Sequence, residues 1–201
     1  MDRSLNRKSP RRPKMRYNTF CALEAINRQW PIENGKIIQL LLGISLSPRR
    51  AGFAVTCHLS EGVDLELIRD AQKFAIEVKT TEGSHITLAD KDITGLHAKS
   101  TNDGYIPAVA ALPLGYSPDW AWIVCDAGRL TVGTYSCRRL ALDSLPELET
   151  TVEEHFEKTV SELREKVLRP PKGGPLTFLN DLLIAENTAA PDEVLQPVSV
   201  G

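Results

Sequence analysis

The sequence lacks the short motifs that identify several large classes of enzyme. It has no Gly-rich phosphate loop of the P-loop or dinucleotide-binding type, no G-x-S-x-G elbow and no H-E-x-x-H pair. Cysteines and histidines are few, and they show neither C-x-x-C nor metal-ligand spacing: Cys21, Cys57, Cys125, Cys137, His58, His85, His97 and His155. The pattern predicts buried thiols in a reducing compartment, and it argues against a disulfide framework or a zinc site.

Long apolar runs are also missing. No stretch reaches the roughly 20 residues that span a bilayer, and the basic N-terminus is not followed by a signal-type apolar core. We therefore expect no membrane partner and a cytoplasmic location. With 201 residues, of which 42% are hydrophobic and 25% charged, the composition is typical of a soluble globular protein with one substantial core.

Charge is unevenly distributed although the net charge is only −2. Residues 1–16 carry seven basic side chains and one acid, whereas residues 140–201 carry twelve acids and five basic side chains. The first segment has little to bury, so we predict a disordered arm. Such an arm could bind phosphates without reading base sequence, or it could simply be a solubilising tail.

Hydrophobic periodicity predicts an α/β protein. Apolar residues recur every three or four positions over 147–168, at Leu148, Val152, Phe156, Val160, Leu163 and Val167, which is typical of a helix. Further helices are predicted over 20–30, 32–45, 90–99 and 176–185, and strands over 53–59, 63–68, 74–80, 85–88, 105–112, 120–125 and 130–135. This order favours a mixed central β-sheet flanked by helices, plus a C-terminal helical extension. We divide the chain into an arm (1–16), a central domain (17–169) and a linker, short helix and tail (170–201).

The stretch 62–81 organises the rest of the chain. It alternates apolar and polar residues with a period of two on both sides of a polar turn at 69–72, which predicts a β-hairpin. If the strands pair, Asp64, Glu77 and Lys79 lie on a common face. Carboxylates are hard ligands that hold Mg²⁺ together with substrate phosphate, and a lysine beside them can orient an attacking water. The alternative is a solvated strand face on which Glu and Lys alternate.

Twelve residues separate Asp64 from Glu77-Val78-Lys79. This spacing resembles the Asp…Glu-x-Lys pattern of the PD-(D/E)xK nuclease superfamily, although Val63 stands where a proline usually precedes the aspartate. Residues 86–96 followed by 104–109 are similar to the archaeal-type Holliday-junction resolvases of that superfamily. The resemblance covers about residues 52–135. It implies a restriction-endonuclease-like core and a metal-dependent DNA endonuclease that cuts phosphodiester bonds, acts on branched DNA and uses Mg²⁺, with Mn²⁺ as the alternative ion.

The resemblance also implies roles for individual residues. Asp64 and Glu77 would bind the metal with the Val78 carbonyl, and Lys79 would assist the water. The candidates for an extra acid near the metal are Glu33 and Glu66, and Glu24 is a third candidate. Candidate contacts to DNA are Arg49, Arg50, Lys91 and Lys99, for which a solvated loop or helix face is the alternative.

Several expectations extend beyond the single chain. Two cuts on a duplex or junction need two active sites, so we expect a homodimer that binds DNA, associated with the nucleoid. One alternative is a sequence-specific restriction or defence endonuclease. Another is a non-catalytic nucleic-acid-binding or assembly module that keeps the nuclease fold. The acidic helix at 147–168 is expected to face away from DNA because phosphates repel it.

Overall fold

The computed structural model describes residues 17–60, 62–114 and 121–188, and the predicted N-terminal arm lies outside them. The helices are α1 (Tyr17–Gln29), α2 (Asn34–Leu46), α3 (Asp90–Asp103), α4 (Cys137–Leu140), a 3₁₀ turn (Ala141–Asp143), α5 (Pro146–Leu168) and α6 (Gly174–Thr188). The strands are β1 (Ala54–Cys57), β2 (Leu65–Arg69), β3 (Gln72–Thr81), β4 (His85–Leu88), β5 (Ile106–Pro113), β6 (Ile123–Asp126) and β7 (Gly133–Ser136). No helix in these ranges is long and apolar enough to cross a bilayer.

Five strands form a mixed central sheet in the order β1-β2-β3-β5-β6. The strands β1, β2 and β3 are antiparallel neighbours, β5 runs parallel to β3, and β6 is antiparallel to β5. The connection from β3 to its parallel neighbour passes through β4 and α3, because parallel strands need a long crossover. A mixed sheet flanked by helices confirms the predicted fold class, and it is consistent with a restriction-endonuclease-like core.

Both faces of the sheet are covered, each by a separate apolar cluster. One face packs against α1, α2, α5 and α6, and its centre includes Leu65, Ile76 and Phe156. The other face packs against α3, α4 and the small two-stranded sheet β4–β7, around Ala75 and Leu96. The acidic helix α5 therefore lies on the opposite face of the sheet from α3.

The N-terminal end of the predicted hairpin differs from the prediction in one respect. Strict alternation over the predicted strand 63–68 would place Val63 on the same face as Leu65, but β2 begins only at Leu65, and Val63 packs in the cluster of the opposite face. The chain bends at Asp64, so strict alternation stops there. This bend frees the Asp64 carboxylate to turn towards β3.

Backbone groups on both outer strands of the central sheet are occupied by the chain itself. On β1, the Asn187 amide accepts from the Val55 N–H at 3.0 Å and donates to the Val55 carbonyl at 2.9 Å. On β6, the Val124 N–H donates to Glu149 at 3.0 Å, and the Val124 carbonyl accepts from the Leu145 N–H at 2.7 Å. At these positions a second copy could not extend the sheet without displacing those contacts.

Candidate active site

Pairing between β2 and β3 brings the predicted site residues together. Leu65 pairs with Ile76, so Asp64, one residue earlier, reaches the level of Glu77. At the far end of the hairpin, Arg69 pairs with Gln72 across a two-residue turn. Glu77 and Lys79 then lie on the α3 face of β3, since alternation from the buried Ala75 places them there.

Asp64 is fixed by hydrogen bonds to both its side chain and its main chain. Its Oδ2 accepts from the Val78 N–H at 2.7 Å. Its backbone carbonyl accepts from the His58 N–H at 3.0 Å and from Gln39 Nε2 at 2.9 Å. Gln39, buried on α2, also donates to the His58 carbonyl at 2.8 Å and thereby links the two ends of the β1–β2 loop.

Lys79 lies between two carboxylates. Its Nζ is 2.7 Å from Glu77 Oε1 and 2.8 Å from Asp92 Oδ2. Both acids are almost fully buried, whereas the lysine side chain keeps 23% of its surface exposed. The cluster is therefore a buried acidic site with one partly accessible cation.

Asp92 was not among the predicted site residues, because its position at the start of a helix is typical of capping. It does cap: its Oδ2 accepts from the Ala89 N–H at 2.8 Å. The same oxygen meets Lys79 because α3 begins immediately after β4 and packs across β3. The Asp-Lys-Asp run at 90–92 was the only signal in the sequence, and it did not show which acid would turn inward.

The charges of the cluster shift one another's pKa. Burial and the nearby charge of Asp64 raise the pKa of Glu77 to about 7, although Lys79 opposes the shift. Burial also raises the pKa of Asp64, in spite of the backbone N–H that its carboxylate accepts. Burial alone would lower the pKa of Lys79 and raise that of Asp92. Their mutual hydrogen bond, the bonds to Glu77 and the Ala89 N–H, and the attraction between opposite charges together outweigh burial, so the lysine pKa is raised and the Asp92 pKa lowered.

The donor atoms fit a divalent cation. Asp64 and Glu77 offer carboxylate oxygens, and the Val78 carbonyl points to the same side of β3 as its N–H, which Asp64 accepts. Within the described ranges, no group of three or more His, Cys, Asp or Glu side chains is arranged as a metal cluster. Mg²⁺ needs only one or two carboxylates when water and substrate phosphate complete its shell. Burial and the charge of Asp64 raise the pKa of Glu77, and a bound divalent cation would oppose that shift.

Glu66 does not join this cluster. Its Oε1 is 2.9 Å from both His58 Nε2 and Lys99 Nζ, and its side chain is 13% exposed. Lys99 is also 3.3 Å from Asp103 and lies over the ring of Tyr105. Although burial raises the pKa of Glu66, hydrogen bonds led by Lys99 lower it overall. The structure thus pairs the predicted extra acid with one of the predicted DNA contacts.

The remaining predicted contacts are dispersed. Arg50 binds Glu162 at 2.7 Å and Glu186 at 3.4 Å, so its guanidinium joins the loop before β1 to α5 and α6 rather than facing a ligand. Arg49 is exposed in the same loop, at the end of β1 distant from Asp64. Lys91 is exposed at the start of α3.

The charge of Lys91 lowers the pKa of Asp64, so Lys91 lies near the acidic cluster. Glu33 is the N-cap residue of α2, where its side chain makes no capping hydrogen bond. Glu24 is exposed on α1.

Gln39→Leu should loosen the support of Asp64. The change keeps side-chain volume but leaves the His58 and Asp64 carbonyls without their shared donor, so we expect the free energy of unfolding to fall by about 1–3 kcal/mol. Urea denaturation measures this loss. Gln29→Leu is a matched control, because Gln29 Nε2 also donates to a carbonyl, that of Leu168, but at an exposed position. An equal loss in both variants would contradict a special role for Gln39.

No protein-family model and no curated protein matches this chain. Among solved structures, the chain is similar to Hjc, a Holliday junction resolvase from Archaeoglobus fulgidus. The two share 20% sequence identity with a TM-score of 0.41, over 50% of this chain and 84% of Hjc.

Proposed function

We propose that this protein is a metal-dependent DNA endonuclease that hydrolyses phosphodiester bonds. One observation supports the proposal above all others: Asp64, Glu77 and Lys79, spaced as in the Asp…Glu-x-Lys pattern, meet at one end of the β2–β3 hairpin. Two oxygen ligands and an ammonium at one point are groups that suit metal-assisted phosphodiester hydrolysis. The acidic helix α5 would repel DNA, and the site lies on the opposite face of the sheet.

In this proposal Asp64, Glu77 and the Val78 carbonyl hold Mg²⁺, or Mn²⁺ in its place. When bound, the cation lowers the pKa of a water ligand and offsets charge on the phosphate. Lys79 directs its partly exposed ammonium at the attacking water and at the developing negative charge. Asp64 keeps its orientation through the Val78 N–H, so it needs little rearrangement before reaction.

The finer assignment is to branched DNA, with a homodimer that places one site on each of two strands. It rests on the sequence pattern of residues 86–96 and 104–109. A protein with this role would work in the cytoplasm at the nucleoid. Because backbone groups on the outer strands are occupied by Asn187 and Glu149, a dimer would form through another surface.

Cleavage of four-way junction, flap, duplex and single-stranded DNA, compared side by side, tests the proposal. We expect cleavage of the junction in Mg²⁺ or Mn²⁺ and none with a chelator. Cleavage of plain duplex at one base sequence would favour the restriction alternative instead. Absence of cleavage on every substrate with either metal would contradict the endonuclease assignment.

The second candidate is a non-catalytic nucleic-acid-binding module with the same fold. It is favoured by the ion pairs of Lys79, which already occupies one oxygen of Glu77 and one of Asp92. If that arrangement persists in Mg²⁺, Lys79 neutralises the acids in place of a metal ion. Binding of DNA in Mg²⁺ without cleavage, and with an affinity that a chelator leaves unchanged, is the result that would support this candidate.

A further inference from the structure

Lys79 has two carboxylate partners on two different elements, and only one of them is a proposed metal ligand. Glu77 precedes it on β3, whereas Asp92 approaches from the first turn of α3. A cation bound at Glu77 would repel the Lys79 ammonium, which lies 2.7 Å from Glu77 Oε1, and would weaken that ion pair. A second partner therefore decides where Lys79 goes when Glu77 turns away.

We propose that Asp92 is a positioning residue, which retains Lys79 at the reaction centre when Glu77 ligates a divalent cation. This inference rests on the proposed function and names a residue that the Asp…Glu-x-Lys pattern does not include. Without Asp92, the four-carbon stem of the lysine would regain rotamer freedom that the ion pair removes. With it, the ammonium keeps one charged hydrogen bond of 2.8 Å.

Asp92 itself is held firmly enough for this role. It is 3% exposed, and the oxygen that meets Lys79 also accepts the Ala89 N–H. Two turns further along α3, Lys99 binds Glu66 on β2 at 2.9 Å. The helix is thus tied to the sheet by two lysine–carboxylate pairs of opposite direction, which fixes its register over the site.

Cation affinity of the DNA-free protein gives a test that does not depend on cleavage. Mn²⁺ binding is measured by calorimetry for the wild type, Asp92→Asn, Lys79→Met and the double variant. Lys79→Met should bind Mn²⁺ at least about fivefold more tightly, because a neighbouring positive charge is removed. Asp92→Asn should bind it about tenfold more weakly, because Lys79 then pairs with Glu77 alone.

The double variant separates positioning from plain charge. In the Lys79→Met background, we expect Asp92→Asn to weaken Mn²⁺ binding by less than about a third of its effect in the wild type, since no lysine remains to compete. Equal effects in both backgrounds would mean that Asp92 acts only through its own charge, and would overturn the proposal. So would a wild type that binds no Mn²⁺.

Cleavage kinetics supply the second measurement. Asp92→Asn should lower kcat about 10–100-fold with little change in KM for DNA, and should cause no further loss in the Lys79→Met background. Asp92→Glu should restore part of the rate. Asp90→Asn is the matched control, since it removes the same charge from the same helical turn at an exposed position.

The outcomes distinguish this inference from the proposed function. Asparagine can still accept the Ala89 N–H, so Asp92→Asn should remain folded, and its melting curve checks this. If the wild type cleaves DNA and Asp92→Asn cleaves equally fast, the inference is overturned while the endonuclease assignment stands. If no substrate is cleaved, the endonuclease assignment fails, and the Mn²⁺ measurements still decide whether Asp92 and Lys79 are coupled.

Discussion

Glu77→Gln is expected to lower kcat/KM for Mg²⁺-dependent DNA cleavage by about a thousandfold, because a metal ligand worth several kcal/mol to the transition state becomes a neutral amide. The protein should remain folded. Glutamine has nearly the same shape, and its amide oxygen can still accept from Lys79, which lies 2.7 Å from Glu77 Oε1. We therefore expect the free energy of unfolding to change by no more than about 1 kcal/mol.

A control variant and a binding measurement separate chemistry from folding. Glu165→Gln removes the same charge from an exposed position on α5, on the other face of the sheet, and should cleave at the wild-type rate. In the absence of metal, Glu77→Gln should bind DNA more tightly than the wild type, because one acid facing the phosphates is removed. Wild-type cleavage by Glu77→Gln would contradict the assignment of Glu77 as a ligand.

The hairpin could be predicted because its determinants are local. Period-two alternation places Glu77 and Lys79 on one face of a strand whatever the rest of the chain does, and a twelve-residue separation allows Asp64 to reach the same end. The structure agrees in pairing Leu65 with Ile76. The roles of Asp64 and Glu77 as metal ligands and of Lys79 as the catalytic lysine remain predictions.

The other half of the cluster depends on contacts that no local pattern contains. Asp92 meets Lys79 only because α3 crosses β3 in one register, and Gln39 supports Asp64 from a helix that precedes the sheet. Arg50 looked like a loop cation, yet its partners Glu162 and Glu186 lie more than a hundred residues away. Sequence periodicity identifies the face on which a residue lies, but it does not identify the partner that residue meets.

Lys79→Ala is the variant with the broadest expected consequences. Cleavage should fall about 10²–10³-fold, because the ammonium that orients water and offsets phosphate charge is lost. The protein should also lose stability, since Glu77 and Asp92 are left as two buried acids without a cation between them. Breaking a fully buried ion pair costs about 3–5 kcal/mol, and because the lysine is 23% exposed we expect about 2–3 kcal/mol.

Divalent cations should reverse part of this loss, which links the stability measurement to the proposed site. With Lys79 absent, a cation bound by Asp64 and Glu77 replaces the counter-charge that these acids have lost, so the midpoint of thermal unfolding should rise more in Mg²⁺ for Lys79→Ala than for the wild type. Lys158→Ala, which removes an exposed lysine paired with Glu154, should show neither the loss nor the rescue. If Mg²⁺ stabilises neither Lys79→Ala nor the wild type, then the acids beside Lys79 do not bind the ion. The lysine would in that case serve only to neutralise them.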